Sequence, residues 1–569
     1  MGKKGKRYDK NNDKNYSITK HDISLILIIV LIYGVISFIN LGSLKSPQTF
    51  WNTKEQGNTI ILRAQNNVSS SKIRHFSGAR AGNYQLSISN DNITYTPVAV
   101  LEEEKVFKWY DTAFQYNFKY LMIKSINDEE SIMGELCVYD ENGQKVPLTS
   151  MTYSGNVLVD EVDTVPDNIS YLNSTYFDEI YHARTAYEYL ENMDIYEWTH
   201  PPLGKLIISA AISMLGMTPF AYRLMGNIAG ILMLVVIYIF GKRIFGSSKY
   251  AFLASLLLAA DGMHFVQTRI ATVDSFLVLF MLLSYLFMYQ YIMCETKSSL
   301  KKKLINLFFS GVFLGASIAT KWNGAYVAIG LAVIFFIDLA GRLRDRRFSN
   351  TFRIQVPKII GGCVVCFIAV PIAIYLMSYI PFFMRPENSG LEDLWRLQLK
   401  MYHYHADLEA THPFTSPWYL WPLGIKPVWY YQGSVGEGYI ASIVAHSNPI
   451  IWWSGLVGIL YCFKEAIIER DKSYRFLSIA IIGVYLPYIL IPRIMFLYHY
   501  FPIVPLMILA LVGLLKALAE RIKRFDLVKW YSIMAVVVFA FFYPIYVGAT
   551  IPRWYANLTV WLPQWHFFN

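Results

Sequence analysis

The chain has 569 residues, of which 54% are hydrophobic, 16% aromatic and only 16% charged. So little charge excludes an ordinary soluble enzyme. The net charge of +10 does not describe a nucleic-acid surface either, because the basic residues gather in short clusters between apolar runs, the pattern that sets orientation in a membrane.

Residues 1–22 form a basic tail carrying Lys3, Lys4, Lys6, Arg7, Lys10, Lys14 and Lys20, a composition that stays disordered and cytoplasmic. The first spanning helix lies within 23–43. Its apolar run, from about Ile23 to Asn40, is too long for a signal-peptide core, and no small-residue cleavage site follows. From 44 to 171 the period changes. Tyr84–Ser89, Lys119–Lys124 and Leu136–Tyr139 alternate apolar and polar residues between Gly, Asn and Asp turn clusters, which predicts an antiparallel, β-sandwich-like extracytoplasmic insert. Trp109, Tyr110 and Tyr116 are candidate sugar platforms there, or simply core.

Residues 172–569, together with 23–43, make up the membrane domain. Leu203 to Met217 is apolar but short, a segment for the surface rather than a crossing. Crossings are expected at 220–241, 250–267, 272–293, 304–320, 323–340, 356–380, 448–463, 475–491, 495–515 and 528–548, eleven with the first helix. With the N-terminus inside, every short basic loop falls on the cytoplasmic side: Lys242-Arg243-Lys249, Lys297–Lys303, Arg342–Arg347, Lys464–Arg475 and Lys516–Lys529. The five cysteines offer no disulfide framework. Cys363 and Cys366, at redox-motif spacing, lie inside a span and read as helix packing.

The same register gathers the polar residues on the other face. Asp178, Glu179, His200 and Lys205 are outside, and Arg223 lies just within the outer end of its helix. Asp261, His264, Arg269 and Asp274 share an outer turn, with Lys321 at the next and Arg493 at a later one. The outer loop 381–447 adds Arg385, Arg396, His403, His405 and His412, and its segment from Leu391 to Glu409 resembles an amphipathic surface helix. Each charge alone is readable as a snorkelling side chain or a structural ion pair. Together they point to an outer-leaflet site in which Arg and Lys hold a lipid phosphate and an Asp activates an incoming hydroxyl. A retaining hydrolase would need two carboxylates about 5 Å apart across the scissile bond. Adjacent Asp178 and Glu179 point apart on an extended segment, so a single displacement with inversion is expected.

These residues resemble the protein O-mannosyltransferase family, membrane glycosyltransferases of the GT-C class. The matching pieces are Phe177-Asp-Glu179, His200-Pro-Pro-Leu-Gly-Lys205, Tyr222-Arg-Leu224, Gln267-Thr-Arg-Ile-Ala-Thr-Val-Asp274, Ala319-Thr-Lys-Trp322, His412-Pro-Phe-Thr-Ser-Pro-Trp418 with Trp421-Pro422, and Met495-Phe-Leu-Tyr-His-Tyr-Phe-Pro502. The resemblance implies an α-helical polytopic GT-C fold with about eleven spans, in the plasma membrane, with an extracytoplasmic site. It implies transfer of mannose from polyprenyl-phosphate-mannose to Ser or Thr of secreted or membrane proteins. Asp178 would be the base, Glu179 would position acceptor or base, and Arg223 and Lys321 would neutralise the carrier phosphate. Arg269, His200, His412 and Asp274 complete the expected substrate-binding set, Asp274 by orienting a cation. No cofactor, no metal and no nucleic-acid partner is expected. The β-trefoil repeats of eukaryotic members have no room in 381–447, which points to a bacterial form and leaves the acceptor open. A GT-C enzyme with a glycolipid or wall-polymer acceptor, as in the aminoarabinose transferases, is the alternative. A transporter of lipid-linked sugars fits worst, since neither internal repeats nor midplane charges are seen.

Overall fold

The computed structural model describes residues 16–295, 298–344, 349–385, 388, 390–522 and 526–568. The basic tail from Met1 to Asn15 and the loop cations Lys297, Arg346, Arg347, Lys523 and Arg524 lie outside the described residues. The chain divides into two compact units. One comprises Met1–Ile39, Trp198–Gly204 and Gly226–Asn569, and the other Asn40–Glu197 and Lys205–Met225. The second unit is larger than the 44–171 insert expected from sequence.

The first unit is mainly helical, with a small antiparallel sheet of Val428–Gly433, Tyr439–Ala445 and Thr550–Pro552. Among the described residues ten helices are long and apolar enough to cross a membrane, and eleven if one bent pair is a single span; the protein is a multi-pass membrane protein. All eleven expected crossings correspond to these segments. The first helix, Lys20–Phe38, starts at Thr19, whose hydroxyl accepts from Asp22 N while the Asp22 carboxylate accepts from Thr19 N, a capping box that closes two orphan donors. Asp22 also takes hydrogen bonds from Tyr238 (2.8 Å) and Lys242 (3.1 Å). Asp338 does the same service for Arg342 (2.6 Å) and Lys472 (2.9 Å). Cations at these helix ends are therefore neutralised in place.

The crossing expected at 250–267 differs from a straight helix. It is Ser248–Ala259 followed by Gly262–Thr268, bent by 62°. Asp261 stands at the break, capping the second piece through His264 N (3.0 Å) and accepting from Trp452 Nε1 (2.7 Å). Asp261 and His264 are fully buried. A Cβ on Gly262 would lie 2.3 Å from the Tyr546 hydroxyl and 2.5 Å from the His446 carbonyl oxygen, so only glycine fits where these helices meet. Cys366 likewise belongs to packing, because its carbonyl oxygen would sit 1.8 Å from a Cβ at Gly311.

In the second unit nine strands pair antiparallel: β1 (Trp51–Asn52), β2 (Thr59–Ser77), β3 (Asn83–Ser89), β4 (Thr96–Glu102), β5 (Trp109–Ala113), β6 (Asn117–Ser125), β7 (Ile132–Asp140), β8 (Lys145–Val146) and β9 (Leu148–Ser150). The three alternating runs read from sequence are β3, β6 and β7. The 19-residue β2 serves two layers. Its first half pairs with β6 and β9 and its second half with β7 and β5, with register shifts between Arg63 and Val68 and between Ser70 and Lys72. A bulged strand that changes sheets is how a sandwich turns its corner. Ile60, Leu62, Leu86, Leu121 and Ile123 from one layer and Ile73, Met133, Leu136 and Val138 from the other form one buried core. Trp109 is 1% exposed and packs on Phe76, so it is core, not a sugar platform.

The short apolar run after His200 forms the helix Leu203–Leu215, about 20 Å long at 1.5 Å per residue and too short to cross. The amphipathic segment of the loop 381–447 forms Leu391–Ala406, with Leu394 and Met401 buried.

Candidate active site

Asp178 is the first residue outside the helix Glu179–Leu190, at its N-cap position. Phe177, just before it, has φ of 48°, a left-handed conformation that costs a bulky residue of order 1 kcal/mol. The turn is held from both sides. Glu179 is buried and accepts two parallel hydrogen bonds from Arg223, Nε to Oε1 and Nη2 to Oε2, both 2.7 Å. Glu179 Oε2 also accepts from Tyr176 N at 3.1 Å, which closes the turn around Phe177 and Asp178. The Arg223 guanidinium, 0% exposed, donates further to Leu41 O (2.9 Å) and Ser174 O (3.1 Å) and lies over the Tyr176 ring at 4.8 Å.

Arg223 therefore has a different occupation from the one expected. Four of its five N–H groups are spent on a buried carboxylate and two carbonyls, and no face is left for a carrier phosphate. Glu179 correspondingly binds a cation. The pair fixes the backbone that presents Asp178.

In the same unit Lys205, fully buried, donates to Glu197 Oε2 (2.6 Å) and to Glu197 O (2.7 Å). This joins the start of the helix Leu203–Leu215 to the segment after the Asp178 helix.

The other unit carries a cationic group. Lys321, the residue that ends the helix Leu300–Thr320, donates to Asp274 Oδ1 at 2.8 Å and lies 5.9 Å from the Tyr498 ring centre. His405 accepts from Arg493 Nη1 on Nδ1 and donates from Nε2 to Thr199 O, both at 2.8 Å. The His200 and Trp322 rings stand 5.6 and 6.1 Å from it. This pairing requires the neutral imidazole with its proton on Nε2. Burial pushes its pKa down to about 4, and the neighbouring His200, Arg493 and Lys321 add to the shift.

Because the folded state holds His405 neutral while the unfolded chain protonates near 6.5, stability is highest above pH 6.5 and falls as pH drops toward 4. A melting series of the solubilised protein between pH 7.5 and 4 is expected to show that decline, and His405→Asn is expected to make it shallower, with buried His75, whose pKa burial pushes down to about 3, still contributing.

Two family models cover most of the chain beyond the sheet. Residues 165–385 match the model described as dolichyl-phosphate-mannose-protein mannosyltransferase, and residues 390–565 the model of the C-terminal four-helix membrane region of protein O-mannosyltransferase. The chain belongs to the protein O-mannosyltransferase family. The polyprenol-phosphate-mannose–protein mannosyltransferase of Mycolicibacterium smegmatis is 23% identical over 68% of this chain and 87% of its own length. That of Mycobacterium tuberculosis is 25% identical over 68% and 86%. The Saccharomyces cerevisiae protein O-mannosyltransferase Pmt1-Pmt2 complex bound to the sugar donor shares the fold, with a TM-score of 0.60 at 14% identity, over 69% of this chain and 89% of that one. Residues 44–164, which hold the sheet, lie outside both family matches.

The remaining expected site residues of this family member divide sharply. Arg269 is 5% exposed and donates to Ser37 O (3.0 Å), Ile39 O (2.6 Å) and Tyr546 O (3.4 Å). It closes the carbonyl ends of the first and last spanning helices, where the helix dipoles favour a cation. His412 is exposed, packs on Phe496 and accepts from Phe414 N on Nδ1. Asp274 orients Lys321. His405 and Arg493 were visible only as members of a polar tally, since 88 residues separate them. No group of three His, Cys, Asp or Glu side chains suited to a metal occurs among the described residues.

Proposed function

We propose that this membrane enzyme transfers mannose from a polyprenyl-phosphate carrier to Ser or Thr hydroxyls of exported proteins, inverting the anomeric centre. The observation that carries this is the Phe177-Asp178-Glu179 turn, braced by a buried Arg223 within the matched region 165–385. A base held this firmly suits removal of one proton from one hydroxyl. Asp178 takes that proton as the hydroxyl oxygen attacks the anomeric carbon. The bond from that carbon to the phosphate oxygen breaks, and polyprenyl phosphate leaves with the electron pair. No general acid is required, because a phosphate monoester is already a good leaving group.

The donor side is assigned to Lys321, with Asp274 orienting it, and to Arg493 and His200 around His405. Their charge meets the phosphate as it becomes a dianion. The reaction takes place on the extracytoplasmic side of the plasma membrane, with the N-terminus in the cytoplasm. The relatives' named donor and the positions of the basic loops support this reading.

The test offers purified protein radiolabelled polyprenyl-phosphate mannose with a Ser/Thr-rich peptide and, separately, a membrane-lipid and wall extract. Label on the peptide, released by β-elimination, is expected. Label on the extract alone would replace the protein acceptor with a glycolipid or wall polymer. Lys321→Met is expected to raise the KM for the lipid donor about 10-fold or more, since a charge-assisted contact contributes about 1.5–3 kcal/mol. The KM for peptide should not change.

A further inference from the structure

The sheet-bearing insert lies outside the family matches, and its contacts say what it does. The segment Leu172–Phe177, which leads into Asp178, makes no strand of its own, yet its backbone is bonded at almost every step. Thr175 N donates to Phe107 O at 3.1 Å, and its hydroxyl donates to Val106 O at 2.7 Å. Trp109 N, the first residue of β5, donates to the Ser174 hydroxyl at 3.1 Å. Val106, Phe107, Trp109, Ser174 and Thr175 are all at most 4% exposed.

Phe107 itself has φ of 51°, a conformation that turns the β4–β5 connection so that its carbonyl faces Thr175. Its ring packs on Tyr187, 5.2 Å away, on the helix that begins beside Asp178. The other end of that helix is gripped as well. Arg80, in the β2–β3 connection, is paired with Glu188 and donates to Asp194 O at 2.7 Å. The insert thus holds the Asp178 helix at both ends and the incoming segment along its length.

We infer that the β-sandwich is a positioning device for the catalytic turn, acting through Thr175 and Ser174, rather than a recruiter of acceptor proteins. The inference rests on the role proposed for Asp178. Two residues in left-handed backbone, buried Phe107 and half-buried Phe177, flank the connection, and such conformations persist only where the surroundings over-determine them. A small displacement of a base costs rate rather than binding.

Thr175→Val keeps the side-chain shape and removes the hydroxyl bond to Val106 O; Ser174→Ala removes the partner of Trp109 N. Each is expected to lower kcat about 10-fold, with the KM values for peptide and lipid donor within about twofold of wild type. Hydrogen exchange of the amides of residues 176–182 is expected to quicken, and Thr175→Ser to restore both rate and protection. Unchanged kcat and exchange in both variants would overturn the inference. So would a raised KM for peptide at constant kcat, which would make the insert a recruiter. If wild type moves no mannose, the proposed reaction fails, while the exchange readout still decides whether these bonds hold the turn: faster exchange supports the clamp and unchanged exchange overturns it.

Discussion

Asp178→Asn is expected to abolish nearly all turnover while leaving the protein folded. Asparagine has the same outline and keeps the N-cap preference of the position, so the helix Glu179–Leu190 should still begin where it does. What it cannot do is accept the proton of an attacking hydroxyl. Loss of a general base typically removes about 10²–10⁴ in rate, and the adjacent carboxylate is not placed to substitute. Glu179 is buried and bound to Arg223 through both oxygens. The measurement is kcat with saturating lipid donor and peptide, together with a melting curve. A variant that keeps its melting temperature and both KM values but loses at least 10²-fold in kcat fits a base. One that retains wild-type turnover removes Asp178 from that role.

The contrast between these adjacent carboxylates shows what a sequence conceals. Both were legible as an unusual pair beside a membrane, but their different fates depend on Arg223, 44 residues from Glu179. The depth of Arg223 was readable from its place at a helix end. Its occupation was not, because a cation near a helix terminus looks the same whether it faces a phosphate, as expected here, or a buried carboxylate, as found. Arg269 makes the same point, since its partners are carbonyls at Ser37, Ile39 and Tyr546 and carbonyls leave no mark in a sequence.

The spans were the legible part, because about 20 apolar residues in water have few alternatives to a membrane helix. The exception, the broken helix at Asp261, followed from treating a charge as a loop residue. Its carboxylate is satisfied by a backbone N–H three residues on and by the indole of Trp452, and that indole lies 191 positions away. The sheet was legible too, since period-2 alternation survives in β3, β6 and β7. Its grip on Ser174 and Thr175 runs largely through the backbone and was invisible.

Arg223→Met should be among the most destabilising single changes in the second unit. It removes five donors from a site with no exposure and leaves Glu179 buried without its guanidinium. Breaking a buried ion pair from one side costs about 3–5 kcal/mol, because the surviving charge has lost its partner. Glu179→Leu is expected to cost a similar amount for the mirror-image reason. The double variant is the informative one. Replacing a buried pair by apolar residues of similar volume is often neutral or stabilising, so the double substitution should recover much of the melting temperature lost by either single one. Activity should not return with it. Tyr176 N would have no carboxylate to close the turn, and Phe177, left-handed at φ 48°, would relax and carry Asp178 with it. Recovery of stability without recovery of kcat would separate what this pair does for the fold from what it does for the base. Recovery of both would reduce the pair to packing, and the catalytic turn would then be held by the sheet alone.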